Sequence, residues 1–408
     1  MIRGWFCKFE QCLSKCLGFG LICAFSLGLI GGCAPTPDEV RSSNMWTNFG
    51  EDLIPPIPPD PVKFVRETAP MQGSPGDVSI WQNPKDPRKS MFFGIDESKR
   101  STGLYSYGLD AKLIERISDI QFPKDVEVEY GFITKEKKRV DIVAVLERDL
   151  RQIRFYGINP TTLKLKDLTG STGVFKDLIG PEGSPMGIAL FRDRWQRMFV
   201  FVSRKVSDGG GVIWQYELKS NRGKIDLVFV REFGKFVGKG IVEQLMVDDG
   251  NQYLYYYDKI AGVRKYLADA SAADSDREIS TFGGYNGTGF QGQMSGVGLY
   301  ITPAERGKGL IVLVDKRAKE SAIKTFKREG EINNPNHQNK SIDEIVLDVD
   351  SSSGIDITSL PIKNEFPEGF IVMGHSTKRN YRIFSWKTAR TQRENHIRNL
   401  RRERNRNL

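Results

Sequence analysis

The reactive side chains of this 408-residue chain are unevenly distributed. All five cysteines lie at or before position 33, namely Cys7, Cys12, Cys16, Cys23 and Cys33. Since none follows, the rest of the chain can form neither an internal disulfide nor a thiolate nucleophile. The histidines His337, His375 and His396 are isolated in the sequence, and no serine–histidine–aspartate set can be argued from them. The sequence therefore gives no sign of cysteine- or histidine-based catalysis.

Cys33 ends a targeting pattern. Three basic residues precede an apolar run over residues 16–30, which is too short to span a membrane comfortably, and Gly31-Gly32-Cys33 follows it. The pattern resembles the bacterial lipobox, in which the cysteine is acylated and becomes the new N-terminus. We expect a lipoprotein signal peptide over residues 1–32 and a lipid anchor, such as palmitate, at Cys33. The protein would then lie in the bacterial cell envelope, at the outer membrane; the alternative is a plain signal anchor.

Residues 33–70 follow as a predicted tether. Leu53–Val62 reads LIPPIPPDPV, and adjacent prolines favour an extended polyproline II spacer over a sheet strand. The alternative is that part of this segment packs along the outer surface of the folded domain.

Two other motifs carry no function in this context. Gly287–Gly292 fits G-x-G-x-x-G, but it lies between predicted strands with no following helix, which argues against a dinucleotide site. Asp348-Val349-Asp350 resembles an aspartate phosphatase motif only faintly, in a body that is not α/β.

The positive charge lies mostly in one tail. The formal net charge is +9, and residues 387–408 contain eight basic and two acidic residues. Without the leader and this tail the body is nearly neutral, so the high pI gives no reason to expect nucleic-acid binding. We expect the tail to be a solvated arm, either helical or disordered, with attraction to anionic lipid or a polyanionic cell wall as its functional alternative.

A pair of predicted strands recurs along the body of the chain and must position any functional residues that the body contains. Val247–Asp269 predicts a strand, a tight turn and a second strand. The same pair recurs as an inner run, such as MFFGID from Met91, followed by a run ending in an aromatic residue. The aromatics are Tyr107, Tyr156, Tyr216, Tyr266, Phe326 and Phe384. Their spacing of about 50 to 60 residues is typical of a β-propeller.

A further strand precedes each pair, as in DVSIW from Asp77 and GIDIT from Gly354. We therefore predict an all-β fold over residues 71–386, a six-bladed β-propeller with four-stranded antiparallel blades around a central channel. We expect a monomer.

Several local sequences resemble the β-propeller phytases, which are 3-phytases that act on myo-inositol hexakisphosphate. They include IWQNPKDPRKS from Ile80, QYEL from Gln215, VREF from Val230 and GID from Gly354. They fall in the order that this family would require across residues 71–386. The resemblance implies calcium ions held by carboxylates at one end of the channel, with lysines and arginines that clamp phosphates.

The resemblance also implies site residues. Carried over by position, the metal ligands would be Asp77 and Glu243, and the catalytic residues would be Glu243 and Asp258. The phosphate-binding residues would be Lys99, Arg148, Arg204, Lys205 and Lys259.

Most of the family's carboxylates are replaced in this chain. Gly76 precedes Asp77 where the family has a second aspartate, and Lys259 follows Asp258 where it has a second glutamate. Acids are also missing in Gln293–Val297 and Ser351–Ser353. Calcium affinity depends on the number of charged ligands, so a normal multi-calcium centre is not expected.

Two functions remain open. The first is a divergent phosphomonoesterase that binds or hydrolyses phosphorylated small molecules such as inositol phosphates, with reduced calcium binding. The second is a non-catalytic, membrane-anchored propeller that binds a polyanion or a protein partner.

Overall fold

The computed structural model describes residues 59–98, 102–205, 210–235, 241–284, 290–303, 305–338, 340–352 and 354–406. The predicted leader, the predicted acylation site Cys33 and Lys99 lie outside these residues, as does most of the predicted tether.

Six four-stranded antiparallel sheets form the body, and each is one blade of a propeller. Blade 1 contains β2 (Pro75–Trp81), β3 (Met91–Asp96), β4 (Gly103–Gly108) and β5 (Leu113–Ile117). Blade 2 contains β6 (Pro123–Ile133), β7 (Arg139–Glu147), β8 (Gln152–Ile158) and β9 (Leu165–Asp167). Blade 3 contains β10 (Pro185–Arg192), β11 (Met198–Arg204), β12 (Ile213–Asn221) and β13 (Lys224–Phe233).

The remaining blades follow the same order. Blade 4 contains β14 (Leu245–Asp248), β15 (Tyr253–Asp258), β16 (Gly262–Leu267) and β17 (Ser280–Phe282). Blade 5 contains β18 (Gln293–Ile301), β19 (Gly309–Lys316), β20 (Ala322–Lys327) and β21 (Asp343–Val346). Blade 6 contains β22 (Ile355–Thr358), β23 (Phe370–His375), β24 (Asn380–Ser385) and β1 (Arg66–Glu67). The predicted six-bladed β-propeller is confirmed.

The continuous apolar runs follow from burial on both faces of each blade. In β19, Ile311 and Leu313 pack toward blade 4, whereas Val312 and Val314 pack toward blade 6. One hydrophobic cluster lies between each pair of neighbouring blades. The runs that we expected to be inner, such as MFFGID, are the second strands of their blades. The strand that precedes each of these runs is the innermost one. It borders the channel on one side and therefore needs less apolar surface there.

The two ends of the described chain close the ring. Strand β1 pairs with β24, with Arg66 opposite Ile383 and Glu67 opposite Arg382, and so supplies the outermost strand of blade 6. Two 3-10 turns, Pro87–Lys89 and Gly180–Gly183, lie in connections. A helix, α1 (Trp386–Arg406), continues directly from β24.

The propeller has two distinct ends. The six innermost strands all begin at one end, which we call the upper end, and finish at the other, the lower end; β2, for example, runs from Pro75 at the upper end to Trp81 at the lower end. Helix α1 starts at the lower end, because β24 finishes there. Among the described residues, no helix is both long and apolar enough to span a membrane.

Candidate functional site at the upper end of the channel

A central cavity of about 240 Å³ is lined by the innermost strands of all six blades. Its walls carry six carboxyl side chains, those of Asp77, Asp125, Glu127, Glu129, Asp249 and Asp356. The channel interior is therefore acidic, although the body as a whole is nearly neutral.

Several of these carboxyls satisfy backbone groups of the neighbouring blade. An innermost strand has no further strand on its channel side. Its backbone N–H groups on that side therefore need acceptors other than a neighbouring strand. Asp125 Oδ2 accepts from Ile188 N at 2.7 Å, and Asp356 Oδ2 accepts from Ile80 N at 2.7 Å. Each carboxyl thus bridges two blades, which is a structural reason for acids in the channel.

Burial also keeps protons on these groups. Desolvation raises the pKa of Asp125 to about 7 and that of Asp356 to about 7. Burial and the proximity of Asp125, which shares a hydrogen bond with it, raise the pKa of Asp77 well above its usual range. Asp249 and Glu129 form a second hydrogen-bonded pair, in which burial raises the pKa of Asp249 to about 6. Near neutral pH the channel therefore holds protons rather than a full set of negative charges.

The mouth of the channel at the upper end has a different arrangement. Lys124, which precedes Asp125 in β6, places its Nζ 3.5 Å from Glu97 Oε1 and 3.2 Å from Glu243 Oε1. These three residues come from blades 2, 1 and 4. The two carboxylates raise the pKa of Lys124 against the opposing effect of burial, so this ammonium stays charged. One ammonium is therefore shared by both acids, and burial raises the pKa of Glu97, which favours the neutral form of that acid.

Glu97 also lies where a family carboxylate is missing. A Cβ at Gly76, the position of the replaced family aspartate, would lie 2.4 Å from Glu97 Cγ. Glu97 thus fills the space that a side chain at position 76 would need. Neither Glu97 nor Lys124 was predicted as a site residue. Lys124 could have been found because it lies at the start of the innermost strand of blade 2, close to the position that Glu243 has just before the innermost strand of blade 4.

The predicted metal and catalytic acids lie in three different environments. Asp77 is buried in the channel with Asp125, and Glu243 pairs with Lys124. Asp258 lies in a buried ion pair, with its Oδ2 accepting from Arg264 Nε at 3.0 Å and its Oδ1 accepting from Ile260 N at 2.9 Å. These contacts make Asp258 a structural residue of the β15–β16 turn, and its predicted catalytic role is not carried further.

The predicted cations all lie at the upper end, apart from Lys99, which is outside the described residues. Arg148 stacks over the Phe122 ring at 4.1 Å, and its Nε lies 3.3 Å from Asp149 Oδ1. Arg204 is buried, and its Nε donates to Gly211 O at 2.8 Å. Lys205 is exposed and Lys259 is half-buried. Arg148, Lys205 and Lys259 are thus the predicted cations whose side chains remain accessible to a ligand.

The residues present do not fit the calcium cluster that the family resemblance implies. In the part of the chain that the structure describes, no group of three or more acidic, histidine or cysteine side chains is arranged to hold a metal ion. The mouth acids already have an ammonium partner, and the channel acids are engaged with backbone N–H groups. No step that depends on calcium can therefore be derived from these residues.

The fold and the mouth define a class of protein: a six-bladed propeller whose channel opens among cationic side chains at one end. A sequence model of the family described as Phytase matches residues 63–399. The chain therefore belongs to the Phytase family, as the local sequences indicated.

Comparisons with individual proteins add the fold alone. An alpha-L-arabinanase from Penicillium chrysogenum, in complex with arabinobiose, is similar with a TM-score of 0.51 and 12% identity, over 80% of this chain and 97% of that chain. Chaetomium thermophilum Sqt1, bound to the N-terminus of a ribosomal protein, has a TM-score of 0.43 and 11% identity, over 77% of this chain and 85% of that chain. A search of curated proteins finds no match.

Proposed function

We propose that this Phytase-family propeller binds phosphomonoesters, such as inositol phosphates, at the upper mouth of its channel without using calcium. The observation that carries the proposal is the Lys124 bridge to Glu97 and Glu243. It supplies at the mouth the positive charge that a metal would otherwise supply. It also offsets part of the repulsion that the two carboxylates would exert on a phosphate.

Accessible cations around the bridge would complete the site. Arg148 is held by its stacking on Phe122, and a guanidinium that is already oriented can bind a phosphate through two parallel hydrogen bonds. Lys205 and Lys259 would add ammonium donors from blades 3 and 4. A ligand with several phosphates, each facing a different blade, suits this distribution better than a single phosphate does.

Calorimetric titration of the protein with inositol hexakisphosphate tests this proposal. We expect binding that persists in a calcium chelator and weakens about tenfold or more in Arg148→Ala, because a charge-assisted hydrogen bond contributes roughly 1.5–3 kcal/mol. Lys135→Ala is the matched control, since Lys135 is an exposed cation in a turn at the lower end. Equal affinity in both variants would contradict binding at the mouth.

Hydrolysis of the bound phosphomonoester is a second candidate function, and the family match over residues 63–399 favours it. The assay is phosphate release from inositol hexakisphosphate with and without calcium, in the wild type and in Glu243→Gln. Calcium-dependent release that falls in Glu243→Gln would support hydrolysis and would mean that Glu243 leaves Lys124 during turnover. Binding without release would leave the propeller as a phosphate-binding module.

The N-terminal expectations also stay proposals. We propose that the signal peptide ends before Cys33 and that an acylated Cys33 anchors the propeller to an envelope membrane through the proline-rich tether. Incorporation of labelled palmitate in a bacterial host should occur in the wild type and be lost in Cys33→Ala. Labelling that survives this substitution would contradict the assignment.

A further inference from the structure

Helix α1 is divided into a docked half and a projecting half. Trp386 and Ala389 are buried in the cluster between blades 5 and 6. Arg390 pairs with Glu368 at 3.0 Å, and Arg393 Nε lies 3.1 Å from Asp343 Oδ1. The first two turns are therefore bound to the propeller by both apolar and charged contacts.

The second half of the helix carries a different set of contacts. Arg398, Arg401, Arg402 and Arg406 form no ion pair with any described residue, and all four are exposed. Ile397 and Leu400 are the only apolar residues in this half, too few to bury it against the propeller or to insert it into a bilayer. A helix end with several uncompensated arginines is suited to an anionic surface.

The chain from the N-terminal side arrives at this same helix. Gln392 Nε2 donates to Asp60 O at 2.6 Å, and Val62 forms a bridge with Leu347 next to β21. Residues 60–62 therefore lie against the docked half of α1 and the end of β21. Helix α1 itself starts at the lower end, which is opposite the mouth formed by Lys124, Glu97 and Glu243.

We propose that the C-terminal half of α1, from Arg398 to Arg406, docks electrostatically on the anionic headgroups of a lipid bilayer. This contact would orient the lower end toward the membrane and the phosphate-binding mouth away from it. A lipid surface is favoured over a soluble polyanion because the helix lies beside the point where the predicted membrane tether enters the fold.

The test uses the full chain carrying Cys33→Ala, so that no acyl chain adds to binding. Cosedimentation is measured with vesicles of phosphatidylcholine alone and with vesicles containing equal amounts of phosphatidylcholine and phosphatidylglycerol. The apolar leader contributes to binding to both kinds of vesicle, so the ratio of the two affinities isolates the effect of the lipid charge. Each arginine near an anionic surface should change that ratio about fivefold, and the preference should fall at high salt.

Two variants with the same charge change separate the helix from the rest of the surface. Arg401→Gln/Arg402→Gln should lower the preference for anionic vesicles by about 25-fold. Lys319→Gln/Lys378→Gln removes two exposed cations from turns at the upper end and should leave the preference unchanged. Thermal melting of both variants checks that the propeller remains folded.

The proposal is overturned if the wild type shows no preference for anionic vesicles, or if the two double variants lose it equally. Binding to soluble inorganic polyphosphate through Arg401 and Arg402, without vesicle binding, would also overturn it and would make a soluble polyanion the partner.

Discussion

The mouth of the channel and the interior behind it both hold carboxyl groups, but these groups have different partners. At the mouth, Glu97 and Glu243 share the ammonium of Lys124, which three blades bring together. In the interior, Asp125 and Asp356 accept hydrogen bonds from backbone N–H groups of the next blade and hold protons near neutral pH.

The partner of the mouth acids is a side chain, which can be replaced, whereas the partners of the interior acids are backbone groups, which cannot. A backbone N–H cannot leave its strand, so the interior acids act as links between blades. A lysine side chain can be removed by substitution, and at the mouth its ammonium can face a ligand as well as the two acids. Carboxylates of the same type thus have a structural role in one region and a candidate functional role in the other.

Removing a buried acid should have the largest effect on stability. Asp258→Ala leaves Arg264 partly uncompensated in a site where both side chains are at most 5% exposed, and it should lower the free energy of unfolding by about 3 kcal/mol. Glu243→Ala removes a partly exposed acid at the mouth and should cost less than about 1 kcal/mol. Urea unfolding of the two variants measures the contrast, and equal losses would contradict it.

The interior acids should also make stability depend on pH. Because the pKa values of Asp125 and Asp356 are raised to about 7, the folded state binds more protons than the unfolded state between about pH 4 and pH 7. The free energy of unfolding should therefore fall as the pH rises through this range and level off above it. Denaturant unfolding at several pH values measures how the free energy of unfolding depends on pH, and Asp356→Asn should weaken this dependence. A wild-type free energy of unfolding that rises with pH in this range would contradict the assignment.

Removing the bridging cation should have a smaller effect on folding than on binding. Lys124→Ala leaves two partly exposed acids unpaired at the mouth, so stability should change by less than about 1 kcal/mol. Affinity for inositol hexakisphosphate should fall about tenfold or more, because a cation is lost and two anions then face the ligand. Lys135→Ala is again the control, and undiminished affinity in Lys124→Ala would remove the bridge from the binding site.

The fold was predictable because its signal is local and repeated. The strand pairs and the aromatics from Tyr107 to Phe384 recur at a period that is typical of a β-propeller, and the second and third strands of the blades carry them. The positions of the fourth strands were not predicted, since short and partly exposed segments such as Leu165–Asp167 carry little apolar pattern. The closure by Arg66–Glu67 depends on pairing with a strand more than 300 residues away in sequence.

The site was predictable only in part, for a similar reason. Position within the family pattern led to Glu243 and Arg148, but the role of Glu243 depends on Lys124, which reaches it from another blade. Asp258 was predicted as catalytic because its sequence position matched, whereas its partner Arg264 is visible only once the β15–β16 hairpin is formed. The positive charge of the tail could be read from the sequence. The burial of Trp386 and Ala389 could not, because it depends on how blades 5 and 6 pack together.

The most direct test of the central claim is a calcium titration of the wild type and of Lys124→Ala, followed by calorimetry. If Lys124 takes the place of a metal at the mouth, the wild type should bind no calcium there. Lys124→Ala should then gain a calcium site that is lost again in Lys124→Ala/Glu243→Gln. Calcium binding by the wild type that disappears in Glu243→Gln would contradict the claim, because it would show that the lysine does not occupy the acids.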